Sequence, residues 1–139
     1  KSKRLLSEEV LNNLKGVLKI IDPYCDKRTL DVLDNIKDKK VKFLTKVENL
    51  GNNKRKSFLR ELKEFKLEHP YIEFRNYQYT DIHDRYIISS KHLVILGHSI
   101  KDLGGKESFA VVLNKKINKN ISEALIRNFD RRWNKSNNL

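Results

Sequence analysis

The sequence predicts an α/β domain: a mixed, mostly parallel sheet flanked by helices. Three observations predict it. Short β-branched runs alternate with amphipathic stretches through the first half of the chain, the βαβα order of parallel strands joined by right-handed crossovers. Two strand-like runs lie close together between residues 82 and 97, a hairpin spacing that makes the sheet mixed. Leu93-Val94-Ile95-Leu96 is apolar at every position, as a strand covered on both faces is, and is placed centrally in the sheet.

Taken in order, residues 1–6 form a basic lead carrying Lys1, Lys3 and Arg4. Ser7, followed by Glu8 and Glu9, predicts a helix start: a hydroxyl cap, then acids at the positive end of the helix dipole. Val10, Leu11 and Leu14 are its apolar stripe, and Gly16 ends it. Residues 16–21 predict a strand, stopped by Asp22-Pro23-Tyr24. Asp26 caps the next helix, whose inward stripe is Leu30, Leu33 and Ile36, or Val32. Residues 41–47 predict a second strand and Gly51-Asn52-Asn53 a loop. Residues 54–68 predict a long helix, with Phe58, Leu59, Leu62, Phe65 and Leu67 at helical spacing.

Pro70 breaks that helix, and residues 71–77 alternate as a strand does. Residues 82–88 predict the next strand, with a turn at 89–92. Gly104-Gly105 marks a corner, and Phe109-Ala110-Val111-Val112-Leu113 reads as another fully apolar strand. Ser122 is placed as the cap of a last helix, with Ile121 and Ile126 as a hydrophobic staple. Leu125, Ile126, Phe129 and Trp133 form its inward face. The polar tail 134–139 is expected to fray. No internal repeat or long linker interrupts the chain, so residues 1–139 are read as one domain.

Charged residues make up 35% of the chain, with a balance of +12. Such a field attracts polyanions, either nucleic acid or an anionic membrane surface; its plain alternative is a lysine-rich surface kept for solubility. Lys54-Arg55-Lys56 has the same two readings, a solvated helix start or a phosphate contact. A single cysteine, Cys25, excludes an internal disulfide and fits a reducing, cytoplasmic setting. Nothing nearby makes it a nucleophile, so it reads as a small core residue, and its spacing to the histidines is not that of a zinc site. No apolar run approaches the roughly 20 residues of a membrane span. The absence of Met, position 1 included, suggests a domain excised from a longer parent protein whose other domains are partners.

The chemistry concentrates in two stretches. In a strand over residues 82–88, His83, Arg85 and Ile87 share one face, with the imidazole and guanidinium about 7 Å apart. One nitrogen nucleophile beside a fork of donors suits a phosphoryl group. The answering stretch is Gly97-His98-Ser99-Ile100-Lys101. Asp22 and Tyr24 follow the first strand, where loops after parallel strands line clefts. They join Gly97 and His98 as candidate substrate-binding residues. Asp84, Tyr77 and Trp133 read as structural.

The spacing of His83-Asp84-Arg85 and Gly97-His98-Ser99-Ile100-Lys101 resembles the paired motif of the phospholipase D superfamily, a His-x-Lys strand followed by a Gly-Ser-x-Asn-type turn. The resemblance covers roughly residues 16–133, one half-domain of that superfamily. It is similar to phospholipase D-like domains at the ends of multidomain prokaryotic proteins. It is also similar to the phospholipase D-like C-terminal domain of eukaryotic midbody and membrane-trafficking proteins, which bind lipid rather than cleave it. Three positions depart from the pattern: Arg85 stands for the lysine, Lys101 for the asparagine and Ser90 for an acidic residue.

The resemblance implies a metal-free, cofactor-free phosphodiesterase. His83 would attack phosphorus to form a phosphohistidine, Arg85 and Lys101 would hold the non-bridging oxygens, and Ser99 would orient them. A second histidine must protonate the leaving oxygen, which with one motif per chain implies a homodimer. With the basic charge, the expected function is a nucleic-acid-directed nuclease or effector module. The alternatives are a non-catalytic phosphate-binding module for nucleic acid or anionic lipid, and a dimerisation or interaction domain.

Overall fold

The computed structural model describes residues 9–103 and 109–139. Residues 9–13 are helical (α1). Then follow β1 (Leu18–Ile21), α2 (Lys27–Leu33), β2 (Val41–Thr45), a 3-10 turn at Val47–Asn49, α3 (Asn52–Glu68) and β3 (Ile72–Asn76). The second half contains β4 (Tyr86–Ile88), β5 (His92–Leu96), a 3-10 turn at Ile100–Asp102, β6 (Ala110–Asn114), α4 (Lys119–Asn134) and β7 (Asn137–Asn138).

All seven strands join one sheet in the order β6-β5-β4-β1-β2-β3-β7. β1, β2 and β3 run parallel. The pairs β1–β4, β4–β5, β5–β6 and β3–β7 are antiparallel. The architecture is therefore the α/β class with a mixed sheet that the alternation of elements predicts.

Strand alternation divides the apolar side chains between two cores. On one face, Leu18, Ile20, Val41, Phe43, Phe74 and Ile87 pack against Leu11 of α1, Leu30 and Leu33 of α2, and Phe58 and Leu62 of α3. On the other, Ile21, Leu44, Tyr86 and Ile88 meet Phe129 and Trp133 of α4. Lys19, between Leu18 and Ile20, turns to the α4 side and pairs with Asp130 at 2.7 Å. Placing both crossover helices, α2 and α3, on one face is what short parallel connections impose.

Local chemistry explains the helix starts. The Asp26 carboxylate accepts the Arg28 N–H, and Thr29 Oγ1 accepts the Asp26 N–H, a reciprocal cap that starts α2 as predicted. The last helix starts earlier than predicted. Asn114 accepts the N–H groups of Lys116 and Ile117, and Asn118 occupies the cap position. Ser122 is therefore a buried residue inside α4, not its cap, and half-exposed Ile121 forms no staple.

Four further expectations need correction. The strand over 82–88 is only Tyr86–Ile88, because its partner β1 ends at Ile21 and Pro23 has no N–H to continue the ladder. β5 is one strand in from the edge, not central. The run 109–113 falls on the sheet-edge strand β6, an edge as its place in the element order implies, but its apolar side chains Val111 and Val112 are exposed there. The tail does not fray: β7 pairs with β3, Leu139 N–H bonds Phe74 O, and Arg75 bonds the Ser136 carbonyl. Ser7, Glu8 and the Gly104-Gly105 corner lie outside the described residues. No helix among the described residues is long and apolar enough to cross a membrane.

Candidate functional site

The parallel strands β1, β2 and β3 end on one side of the sheet. Antiparallel β4 starts there and β5 ends there. The segment after β1 carries Asp22 and Tyr24. The residue before β4 is Arg85. The segment after β5 carries Gly97 to Lys101. Topology thus brings the candidate residues, His83 in the segment before β4 included, to one end of the sheet, since the carboxyl ends of strands are where α/β folds open a crevice.

Asp22 is the hub. It is fully buried, yet its carboxylate accepts three hydrogen bonds: Ser99 Oγ and Ile100 N–H, both at 2.7 Å, and Tyr24 N–H at 3.0 Å. Burial pushes its pKa up, against the bonds from Ser99, Tyr24 and Ile100 and the charge of Lys101. Every hydrogen bond that the Asp22 carboxylate accepts among the described residues comes from the loop after β1 or the turn after β5. Asp22 fastens the one to the other. Cys25 beside it is buried and its thiol is pushed well up, first by burial and then by the Asp22 charge, which fits an inert core residue.

Ser99 is spent on this latch. Its hydroxyl donates to Asp22 and lies 3.1 Å from the Tyr24 carbonyl. His98 Nδ1 stands 2.8 Å from the Ser99 carbonyl oxygen. A carbonyl only accepts, so Nδ1 carries a proton there. Nε2 of the same ring is buried and has no hydrogen-bond partner among the described residues.

Arg85 sits half-buried before β4, its carbonyl accepting the Leu96 N–H at 2.9 Å. Its guanidinium lies over the Tyr24 ring, 5.7 Å from the centroid. Its Nε is buried and has no hydrogen-bond partner among the described residues. The aromatic face holds the cation in place. Lys101, on the turn Ile100–Asp102, adds charge felt by Asp22, Cys25 and Asp26.

His83 departs most from expectation. It lies outside any strand, in the segment before β4, and is exposed. Among the described residues, nothing hydrogen-bonds its ring. The one-face pairing of His83 with Arg85 needs a strand that the chain does not form.

Sequence reasoning missed several neighbours. Arg28 bonds Asp26 at 3.0 Å and reaches Asp102 at 3.4 Å, which ties α2 to the turn holding Lys101. Burial opposes ionisation of Asp26, but the bonds and charge of Arg28 outweigh it and hold the carboxyl below its ordinary value. Beside this pair, Lys27, Arg28, Asn53, Lys54 and Ser57 line a surface cavity of about 360 Å³. Arg55, by contrast, bonds the carbonyls of Val47 and Leu50 and has a structural role. Phe109 lies against Gly97: a Cβ on that glycine would stand 2.0 Å from the ring. No pattern in the sequence marks that contact. Asp34, Glu68 and His69 bring potential metal-ligating atoms within 4.8 Å of one another near the start of β3, but the two acids are exposed.

No family model matches the chain, and no curated protein matches it. Among solved structures, it is similar to the archaeal chromatin protein TrmBL2, whose structure is described as showing a novel mode of DNA binding. The TM-score is 0.59 at 15% identity, over 99% of this chain and 50% of that one. The chain therefore spans half the length of that neighbour. At this identity, the likeness is one of fold.

Proposed function

We propose that this domain is a phospholipase D-like half-domain that grips backbone phosphates of nucleic acid without cleaving them. The observation that carries the reading is the half-buried Arg85 guanidinium, held over Tyr24 where the strand ends meet. A guanidinium holds phosphate oxygens through charge-assisted bonds, and Lys101 adds positive charge at the same strand ends. The +12 balance supplies the long-range attraction that a polyanion answers. The DNA-binding description of TrmBL2, a protein of similar fold, agrees with this reading.

The non-catalytic form is favoured by what surrounds His83 and Ser99. A histidine nucleophile needs its second ring nitrogen held in place, and His83 has no such partner among the described residues. The serine expected to orient the phosphate is bonded to Asp22 instead. A phosphodiesterase is the second reading, and one observation favours it: the exposed His83 ring is open to an incoming phosphate. It requires a second copy to supply the proton donor.

The test is fluorescence anisotropy with a labelled oligonucleotide, wild type against Arg85→Ala. Loss of a charge-assisted bond to phosphate should weaken binding by roughly tenfold to a hundredfold. Equal affinity in the two proteins would remove Arg85 from the site and the reading with it.

A further inference from the structure

Among the described residues, four aromatic side chains are exposed: Tyr24, Tyr71, Tyr79 and Phe109. Three of them, Tyr24, Tyr79 and Phe109, lie at the same end of the sheet as Arg85, after β1, after β3 and before β6. Their exposures are 37%, 48% and 61%. Most aromatic rings of this chain are buried, Phe43, Phe58, Phe74, Tyr77 and Phe129 among them. The exposed three are spread along the strand ends, Phe109 at β6 and Tyr79 at β3 five strands away, roughly 24 Å at the usual interstrand distance, with Tyr24 and Arg85 between them.

Each of the three is held by the fold. The Phe109 ring lies against the bare α-carbon of Gly97, and the Phe109 carbonyl accepts the Gly97 N–H at 3.1 Å. Tyr24 is fixed through the Asp22 latch and covered on one side by the Arg85 guanidinium. Tyr79 packs edge-on against Tyr77, whose ring centroid is 5.2 Å away and whose hydroxyl is anchored on Asp81. Basic side chains come from the neighbouring segments: Arg85 over Tyr24, Arg28 paired with Asp102, and the α4 residues Arg131 and Arg132 beside Asp81, the residue that anchors Tyr77.

We infer that the ligand is single-stranded nucleic acid, its bases stacked on Phe109 and Tyr79 while Arg85 holds a backbone phosphate. This rests on the phosphate-gripping reading and narrows it. A duplex hides the faces of its bases; a single strand offers them, and stacking on rigid rings takes any base. The spacing suits the chemistry. Arg85 and Phe109 are separated by β5, so their backbones stand roughly 10 Å apart at the usual interstrand distance.

The experiment compares a labelled 20-nucleotide oligothymidine with a mixed-sequence duplex of the same length, by anisotropy at one salt concentration. The wild type should bind the single strand at least tenfold more tightly. Phe109→Ala and Tyr79→Ala should each weaken single-strand binding roughly 5- to 100-fold. Neither should change duplex binding or the melting temperature, and Phe109→Tyr should restore single-strand affinity. Equal loss on both ligands, no loss on either, or tighter duplex binding would overturn the inference. Arg85→Ala separates the two levels: if it leaves both ligands unaffected, the phosphate reading fails; if it weakens both while Phe109→Ala changes neither, only the single-strand inference fails.

Discussion

Ser99 donates its hydroxyl proton to the buried carboxylate of Asp22 at 2.7 Å, across 77 residues of chain. That bond joins the turn after β5 to the loop after β1. The serine that sequence spacing offers to a ligand is a fastener, and the acid after the first strand is its anchor. The group assigned to the anion is Arg85, with Tyr24 as its support.

Removing the anchor should be costly. Asp22→Ala orphans three donors at a fully buried position, and at about 1–3 kcal/mol for each unmet group the loss is roughly 3 kcal/mol or more. Ser99→Ala leaves two N–H donors on the carboxylate and should cost about 1 kcal/mol. Urea unfolding followed by circular dichroism measures both.

The same carboxyl gives a pH signature. Burial raises its folded-state pKa above the ordinary value of 3.8, so the folded chain binds that proton more tightly than the unfolded chain does. The stabilising contribution is fully present below 3.8 and is lost as pH rises through the raised value. Asp22→Asn cannot titrate there. The stability gap between wild type and Asp22→Asn should therefore move in favour of wild type as pH falls through that window. A gap that does not change with pH would remove Asp22 from the titration.

His83→Ala should leave nucleic-acid affinity within about twofold and should not change the background of metal-free strand cleavage, since nothing among the described residues orients that ring. Gel analysis of a labelled strand in EDTA reads the cleavage. Cleavage that depends on His83 would select the phosphodiesterase reading instead.

The opposite face holds the chain's one tryptophan. Trp133 is buried, stacks on Phe129 at 5.7 Å, and carries Arg75 and Lys42 over its ring at 5.3 and 5.5 Å. Trp133→Ala should cost about 3–5 kcal/mol, measured by thermal or urea unfolding.

How far the sequence reads is clear from particular residues. The order of elements, the Asp26 cap and the core residues Phe58, Leu62, Phe129 and Trp133 were legible, because periodicity and capping are local signals. Asp22, Tyr24, Gly97, His98, Ser99, Arg85 and Lys101 were legible as one locality, because strand ends gather loop residues. Their roles were not. Whether Ser99 faces a ligand or Asp22 depends on a contact 77 positions away, and whether His83 lies in a strand depends on where β1 stops. The exposure of Val111 and Val112 follows from β6 taking the sheet edge, and the order of tail residues 137 and 138 from an open edge on β3. Those are tertiary facts with no local pattern.

The central claim is that Arg85 holds a backbone phosphate, and the salt dependence of binding tests it most directly. Affinity for a labelled oligonucleotide, measured across a series of salt concentrations, should fall linearly on logarithmic axes for the wild type. For Arg85→Ala the line should lie lower and its slope should be shallower by about one. Identical slopes and affinities for the two proteins would contradict the account.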